Sequence, residues 1–356
     1  MISGEKSYND LYYCHEQKEK KRCPECGSLE TKKHGYIKSR VLTKRGFTDK
    51  KLQRYFCKQC HRSFTAKGYD VRTRVADRYK REIVMEYIGT KASLSEVCER
   101  HHISKTSLNK WVIQIAEKEK EFYYFGIKNP SGYIQIDGKE VRVKGKRRVI
   151  LIVSDAITHR LVCYGVYTSE NKESARHFFI QVKELYPFEI LGVVSDFGRG
   201  RCFMRLVKEI FREAKHQVCI AHFLRHMWIA IPRTRRSRHF WRNKVLKAMI
   251  TAILKAETKK EAIKLLNDLV KRKAFFKAGY QQKWIRSIVK NFDVLTAHYD
   301  DPNLDRTSNV IENINRQLER KLKNTDGFKS DTGLNAFLKL WFLNFVKKFD
   351  LKTQLS

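Results

Sequence analysis

Two short stretches decide the fold of this chain: residues 133–138 read YIQIDG, and residues 191–198 read LGVVSDFG. Each is an apolar run that reaches an aspartate and then a glycine, as expected of a buried strand that ends in a loop. We predict strands at residues 133–136, 149–153, 161–166, 190–194 and 217–220, and helices at residues 172–185 and 203–214. Three strands followed by alternating helices and strands predict a mixed α/β domain.

The regions on either side of these strands have a different character. Residues 223–300 are basic and without strand signals, and residues 307–324 and 334–349 read as an amphipathic and a strongly apolar helix. We therefore expect an α/β domain at residues 131–350 with a helical insertion at residues 223–300. Upstream we expect three segments: a polar arm at residues 1–22, a cysteine-rich module at residues 23–68 and a helical domain at residues 75–120.

Charge is the most informative part of the composition. The 356 residues include 74 Lys and Arg against 38 Asp and Glu, which gives a formal net charge of +36. A folded chain with this excess attracts polyanions, and nucleic acid is the first candidate partner. The composition argues against a binder of acidic substrates and against an ordinary metabolic enzyme with a small-molecule substrate.

The sequence carries no signal for membranes or export. No apolar run approaches the roughly 18–20 residues of a membrane span. The first residues, MISGEKSYNDLYY, lack a basic stretch followed by an apolar one, so we expect no secretory signal and a cytoplasmic protein. Its nine cysteines should then be reduced, which favours metal binding over disulfides.

Four of these cysteines have the spacing of a metal site. Cys23 with Cys26, and Cys57 with Cys60, each form a CxxC turn that places two thiolates on one side of a metal ion. We predict one structural Zn²⁺ in a zinc ribbon, which needs this support because its own core is small. Four unrelated cysteines or redox pairs are the alternatives. Interleaved basic and aromatic residues favour DNA as the partner of the ribbon, with a protein partner as the alternative.

Residues 75–120 read as two or three short helices with defined starts. Ser93, with Glu96 three residues on, predicts a capping box, and Ser104 caps the next helix. One face of that helix carries residue types that contact phosphates and base edges in the major groove: Lys105, Thr106, Asn109 and Lys110. We interpret the pair as a DNA-binding helix-turn-helix, with an ordinary helical hairpin as the alternative.

Three separated carboxylates stand out by their positions. Asp137 and Asp196 each follow an apolar run and precede a glycine, which predicts strand ends open to solvent. Glu312 lies in the amphipathic helix among basic side chains. The alternatives are aspartates in solvated loops or at helix starts, and a capping box that pairs Glu312 with Asn309.

The chemistry of such a set is specific. Carboxylates are hard oxygen ligands suited to Mg²⁺. Two such ions, about 3.5–4 Å apart, activate an attacking oxygen and stabilise a leaving one in phosphoryl transfer. Three carboxylates on a strand-rich, basic core therefore predict metal-dependent phosphoryl chemistry.

Taken together, the chain resembles the DDE transposases of prokaryotic insertion sequences, and among them the Mutator-like group. Cys219 and His222 match the CxxH motif of that group, and residues 309–316, NVIENINR, are similar to the segment around its catalytic glutamate. The resemblance covers nearly the whole chain, in the order ribbon, helix-turn-helix and catalytic domain.

This resemblance implies a ribonuclease-H-like catalytic fold in which Asp137 ends the first strand and Asp196 ends the fourth. It implies that these two residues and Glu312 are catalytic and hold two Mg²⁺ or Mn²⁺ ions. Residues 223–300 correspond to the helical insertion of the group, and its CxxH motif implies a positioning role for Cys219 and His222 near the scissile DNA.

The resemblance also implies an activity and its partners. Such a protein binds the terminal repeats of its own element, cleaves them and joins the 3′ hydroxyls to target DNA. It assembles as a homodimer or larger on paired ends, at the nucleoid of a prokaryotic cell. The alternatives are a non-catalytic DNA-binding regulator that kept the ribbon and helix-turn-helix, and a ribonuclease-H-like nuclease or resolvase without strand transfer.

Several other residues compete for these roles. Cys219, His222 and His226 form an alternative second zinc site, although a fourth ligand is not evident. Rival carboxylates, less well placed by motif, are Asp155, Asp305 and Glu319. We expect further DNA contacts from Arg235, Arg236, Arg238, Trp241, Arg316 and Arg320, with a solvated charged helix as the alternative for the arginine-rich run.

Overall fold

The computed structural model describes residues 21–43, 46–65, 75–119, 130–186, 188–198 and 202–355. The predicted polar arm therefore lies almost entirely outside the described residues. The chain divides into two compact units, residues 1–83 and residues 84–356. Among the described residues, no helix is both long and apolar enough to cross a bilayer.

The first unit is built on a three-stranded antiparallel sheet. Its strands are β1 (Thr31–Thr43), β2 (Gly46–Cys57) and β3 (Ser63–Thr65), in the order β1-β2-β3. The β1–β2 hairpin runs from the pair Thr31 and Cys57 to the pair Thr43 and Gly46, with an irregularity after Lys33. The sequence predicted only short β runs here, so the length of this hairpin is a finding of the structure.

Three helices follow: α1 (Asp77–Gly89), α2 (Leu94–Arg100) and α3 (Lys105–Lys118). The predicted capping box is confirmed, because Ser93 Oγ accepts from the Glu96 N–H at 3.2 Å and the Glu96 carboxylate accepts from the Ser93 N–H at 2.7 Å. Ser104 also caps as predicted, since its Oγ accepts from the Ser107 N–H at 3.1 Å. Serines satisfy the orphan donors at both helix starts.

The second unit contains a five-stranded mixed sheet, as predicted for an α/β fold. Its strands are β4 (Tyr133–Val143), β5 (Lys146–Asp155), β6 (Leu161–Tyr167), β7 (Gly192–Ser195) and β8 (Lys215–Val218). The order is β6-β5-β4-β7-β8, with antiparallel pairs from β6 to β4 and parallel pairs from β4 to β8. The last strand ends earlier than predicted, because Ile220 begins a helix.

Alternation along β4 gives the sheet two different faces. Ile134 and Ile136 join an apolar core formed with helices α4 (Lys172–Leu185) and α5 (Cys202–Ile210). Gln135 and Asp137 therefore point to the opposite face. That face is covered by a later helix, α11 (Asn309–Leu322).

The chain between β8 and α11 is helical wherever it is regular. Its helices are α6 (Ile220–Ala230), α7 (Phe240–Lys255), α8 (Lys259–Lys271), α9 (Gly279–Lys290) and α10 (Phe292–Leu295), with short 3₁₀ turns at Lys273–Phe275 and Ala297–Tyr299. They share a second apolar core that includes Phe223, Leu246 and Ile288. The final helix, α12 (Asp331–Leu355), packs on α3.

The C-terminal end of α11 forms hydrogen bonds with the loop that precedes α2. Lys321 is buried; its ammonium donates to the Ala92 carbonyl at 2.8 Å and lies 4.4 Å from the centre of the Tyr87 ring. Burial lowers the pKa of Lys321 to about 8. Asn324, just after the helix, donates to the Lys91 carbonyl at 2.7 Å. These contacts hold the C-terminal end of α11 against Tyr87 and the loop between α1 and α2.

Asp155, at the end of β5, serves the fold. One carboxylate oxygen accepts from Ser131 Oγ at 2.9 Å and from the Ile157 and Thr158 N–H groups at 3.1 and 2.8 Å. The other accepts from the Ser131 N–H at 2.8 Å and the Tyr186 hydroxyl at 2.9 Å. Burial opposes ionisation, but these donors lower the pKa of Asp155 below its ordinary value.

We expect Asp155→Asn to lower the free energy of unfolding by about 2–3 kcal/mol at neutral pH, because buried donors lose a charged acceptor. The folded-state pKa is lowered, so the stabilisation is complete above the unfolded value of about 3.9 and is lost as the pH falls through the folded value. Denaturant midpoints of the parent and the variant should converge in acid. The exposed Asp293→Asn is the control, and an equal, pH-independent loss in both variants would contradict the assignment.

Candidate active site

Asp137 lies in the middle of β4, which corrects the prediction that it ends the first strand. The strand continues to Val143 because it forms a hairpin with β5. Asp137 is nevertheless the first residue beyond the parallel pairing, since Ile136 is the last residue of β4 paired with β7. Its carboxylate accepts from the Gly138 N–H and from Asn315 Nδ2, both at 2.8 Å.

Asp196 follows directly after the last residue of β7, as predicted. Ser195 pairs with Ile136, so the register places Asp196 next to Asp137 on the face covered by α11. The Asp196 carboxylate accepts from the Phe197 N–H at 2.6 Å. Burial, and then the charge of Asp196, raise the pKa of Asp137, while His222 and the hydrogen-bond donors oppose the shift.

Glu312 lies in the first turns of α11 and faces the same region. The helix begins at Asn309 with Ser308 as its N-cap residue, so the alternative of a capping box between Asn309 and Glu312 does not form. Glu312 instead donates its N–H to the Ser308 carbonyl at 2.9 Å. Its Oε1 lies 3.8 Å from Nδ1 of His222.

Cys219 and His222 lie at the start of α6, with Cys219 at the N-cap position. Burial alone would lower the pKa of His222, but hydrogen bonding to Cys219 and the charges of Asp137 and Asp196 raise it to about 9. Burial likewise opposes ionisation of Cys219, whereas His222 and Ser308 lower the pKa of its thiol. His222 is therefore the group that interacts with all three carboxylates.

The second zinc site that the sequence offered as an alternative, with Cys219, His222 and His226 as ligands, does not form. The ligand atoms of Cys219 and His222 lie within 4.8 Å of one another and of Glu312, rather than of His226. His226 instead lines a cavity of about 340 Å³ together with Asp196 and other residues.

The rival carboxylates are engaged elsewhere. Asp305 accepts from Gln135 Nε2 at 2.7 Å, and burial raises its pKa. Glu319 forms ion pairs with Lys139 at 2.7 Å and Lys323 at 3.2 Å. Hydrogen bonds from these two lysines lower the pKa of Glu319.

The residues predicted to contact DNA are mostly exposed. Of the four on α3, Lys105 forms an ion pair with Asp326, and the other three, Thr106, Asn109 and Lys110, are exposed. The basic run between α6 and α7 and the outer face of α11 expose Arg235, Arg236, Arg238, Arg316 and Arg320. Trp241 is 70% exposed, with Lys244 Nζ 5.4 Å from its ring centre.

The four paired cysteines come together in the first unit. The sulfurs of Cys23 and Cys60, and those of Cys26 and Cys57, are each 3.6 Å apart, and the four ligand atoms form one cluster that can hold a metal ion. Gly27 has a φ of 73°, the left-handed conformation that the first knuckle requires. The Cys60 N–H is the main cause that lowers the pKa of Cys57 to about 7.

Two site residues were not predicted from the sequence. Asn315 orients Asp137, and a polar residue one turn after Glu312 on the same helix is the only signal that could have indicated it. Ser308 donates through Oγ to the Cys219 sulfur at 3.3 Å. These two residues are 89 positions apart, and local sequence carries no signal for such a contact.

Comparison with known proteins gives a consistent result. The sequence profile of the family described as "Transposase, Mutator family" matches residues 31–350. The chain is 24% identical over 345 residues to the "Insertion element ISM1 uncharacterized 48.3 kDa protein" of Methanobrevibacter smithii, which covers 92% of this chain and 82% of that protein.

It is also 25% identical over 272 residues to the "Transposase for insertion sequence element IS256 in transposon Tn4001" of Staphylococcus aureus. That match covers 74% of this chain and 65% of the relative, and a protein of the same name from Enterococcus faecalis matches equally well. Since the family profile extends over most of the sequence, this chain belongs to the Mutator family of transposases.

Proposed function

We propose that the chain is an active transposase with a ribonuclease-H-like catalytic domain. In this proposal it binds the ends of its own insertion element, cleaves them and joins the 3′ hydroxyls to target DNA. The observation that carries the proposal is the convergence of Asp137, Asp196 and Glu312 around His222. The strand order, with the first three strands antiparallel and the last two parallel to the first, supports it.

The three carboxylates supply the oxygen ligands that divalent cations such as Mg²⁺ take. Among the described residues, Glu312 Oε1 is buried without a hydrogen-bond partner, which is costly for a charged oxygen. Asp137 and Asp196 repel one another, and this repulsion contributes to the raised pKa of Asp137. Divalent ions held there would supply the acidity needed by the attacking oxygen and would stabilise the leaving one.

The chain itself orients the carboxylates. The Gly138 and Phe197 N–H groups hold one oxygen of Asp137 and of Asp196, respectively, and Asn315 holds the second oxygen of Asp137. Glu312 is held by the first turns of a helix packed on the sheet. Such backbone and side-chain anchoring is how a protein presents ligands in a fixed geometry.

We further propose that Cys23, Cys26, Cys57 and Cys60 bind one structural Zn²⁺. Tetrahedral zinc with bonds of about 2.3 Å separates its sulfur ligands by roughly 3.8 Å, close to the two distances of 3.6 Å between paired sulfurs. Each pair combines one buried thiol with one that is exposed or half-buried.

DNA is the proposed partner of several exposed basic surfaces. The exposed residues of α3 would contact the terminal repeats, and the outer side of α11 and the basic run would hold DNA near the carboxylates. Trp241 is a candidate for stacking on a base. We also propose that the chain works as a homodimer or larger, because one event must join two ends.

Salt dependence tests the basic run. Replacing Arg235, Arg236 and Arg238 together by Gln should reduce the slope of log affinity against log salt by about 2–3, at about 0.9 for each lost phosphate contact. The matched control is the triple Gln replacement of three exposed lysines of α8, Lys260, Lys264 and Lys271. Equal slopes for the two triple variants would remove the basic run from the DNA path.

The function as a whole is tested on a labelled DNA that carries the terminal repeats of the element. We expect the purified chain with Mg²⁺ to bind this DNA, cleave it and join its 3′ ends to a target. Binding without cleavage would indicate the regulator, and cleavage without joining would indicate a nuclease. A chain that joins both ends as a strict monomer would contradict the proposed assembly.

A further inference from the structure

A cluster of three metal-ligating side chains lies where α6 and α11 begin. The donor atoms of Cys219, His222 and Glu312 all lie within 4.8 Å of one another. Cys219 is at the N-cap of α6 and His222 is three residues on, so both side chains project from the same side of the first turn. Glu312 approaches from the first turns of α11.

Two of the three residues have a buried donor atom without a hydrogen bond. His222 is 8% exposed, and within the described part of the chain its Nδ1 has no hydrogen bond. Oε1 of Glu312 is also buried without a hydrogen bond, and it lies 3.8 Å from His222 Nδ1. Buried polar atoms normally have hydrogen-bond partners, so two adjacent atoms without one indicate a ligand that binds between them.

The third donor is prepared as a ligand. The sulfur of Cys219 accepts hydrogen bonds from Ser308, from Oγ at 3.3 Å and from the backbone N–H at 3.5 Å. Donors directed at a sulfur favour its thiolate form, which is the form that binds metals. The Cys219 side chain is fully buried.

The chemistry of the donor set selects the ion. A thiolate, an imidazole and a carboxylate are typical zinc ligands, whereas Mg²⁺ takes oxygen ligands only. We propose that Cys219, His222 and Glu312 form a binding site for a thiophilic divalent cation such as Zn²⁺. Cys219 would coordinate as a thiolate and His222 as a neutral imidazole, so the protons that these two groups carry before binding pass to solvent, and water completes the coordination.

One consequence of this site rests on the proposed function. Glu312 is then shared between the zinc site and the proposed magnesium site, and a Zn²⁺ ion held by Cys219 and His222 would draw its Oε1 away from the catalytic ions. Zinc bound by Cys219, His222 and Glu312 therefore competes with the catalytic ions. It should inhibit strand cleavage at concentrations well above those needed to fill the ribbon.

Metal binding is tested first, without reference to activity. The full chain, with zinc already in the ribbon, is titrated with Co²⁺, which reports a thiolate ligand through a sulfur-to-cobalt charge-transfer band. We expect one additional Co²⁺ per chain with this band. Cys219→Ala should lose the band, and Glu312→Gln should weaken binding at least about tenfold, as metal-site substitutions typically do.

Cys98→Ala is the matched control, since Cys98 is another buried cysteine of the same unit and lies outside the cluster. It should keep the band, and circular dichroism should show that all variants are folded. A chain that binds no additional cobalt, or a Cys219→Ala variant that keeps the band, overturns the site.

A second experiment measures activity and distinguishes the proposed zinc site from the proposed function. Each variant is compared with its own activity without zinc, and Cys219→Ala should be inhibited less than Cys98→Ala. If the parent chain binds cobalt but cleaves no DNA, the proposed function fails while the site stands. If the chain cleaves DNA and zinc inhibits both cysteine variants equally, the competition is overturned.

Discussion

Asp137→Asn, Asp196→Asn and Glu312→Gln should each reduce strand cleavage and joining by at least about 100-fold while leaving DNA binding intact. Each amide keeps the size of the side chain and removes the negative charge that would hold a divalent ion. Such ions contribute several kcal/mol of transition-state stabilisation, and about 1.4 kcal/mol corresponds to a tenfold change in rate. Purified variants on a labelled end substrate give the rates, and gel shifts on the same DNA give the affinities.

Glu319→Gln provides the control for this series. Glu319 lies on the same helix as Glu312, but its carboxylate is partly exposed and paired with Lys139 and Lys323. Exposed pairs of this kind contribute little to stability, so we expect the variant to retain most of its activity. Substantial strand transfer by Glu312→Gln, or the absence of strand transfer in Glu319→Gln, would show that Glu312 is not the third metal ligand.

Loss of zinc should unfold the cysteine module of the first unit. Structural zinc sites contribute about 10–16 kcal/mol in small zinc-binding peptides, and the sheet β1–β3 has few buried side chains of its own among those described. Cys57→Ala should therefore abolish the amide protection of the β1–β2 hairpin in hydrogen exchange. Metal analysis should give one zinc per parent chain as purified and none for the variant.

The protection of α7 and α8, which lie in the other unit, should stay unchanged in this experiment. Cys98→Ala should keep both the zinc and the protected hairpin. A metal-free chain whose hairpin remains protected would contradict the proposed ribbon.

The sequence predicted the strands of the α/β domain well because each is a compact apolar run. It failed at Asp137, where an Asp-Gly pair was interpreted as the end of a strand. The alternation continues through Val141 and Val143 to a turn at Lys144 and Gly145, both with positive φ. This alternation is visible in the sequence, and it predicts a hairpin rather than a loop after Asp137.

The site was predictable only in part, for a physical reason. Strand ends and a helix pattern indicated Asp196 and Glu312, since both depend on local sequence. The contacts of His222 with Glu312 and with Asp137 join segments about 90 and 85 residues apart, and packing alone decides them. For the same reason, nothing in α3 predicted that Lys105 would be paired with Asp326.

The fastening of α11 to the loop before α2 has a mechanical consequence. Lys321 is nine residues from Glu312, so a rigid rod of roughly 14 Å, at about 1.5 Å per residue, connects that loop to the carboxylate. The rod resists bending, because its N-terminal part is packed on the sheet and Lys321 is clamped between Ala92 and Tyr87. In the proposed complex, a load that DNA places on α2 and α3 would reach Glu312 through this loop and helix as a displacement, so that DNA binding at a distance and the alignment of this carboxylate would be coupled.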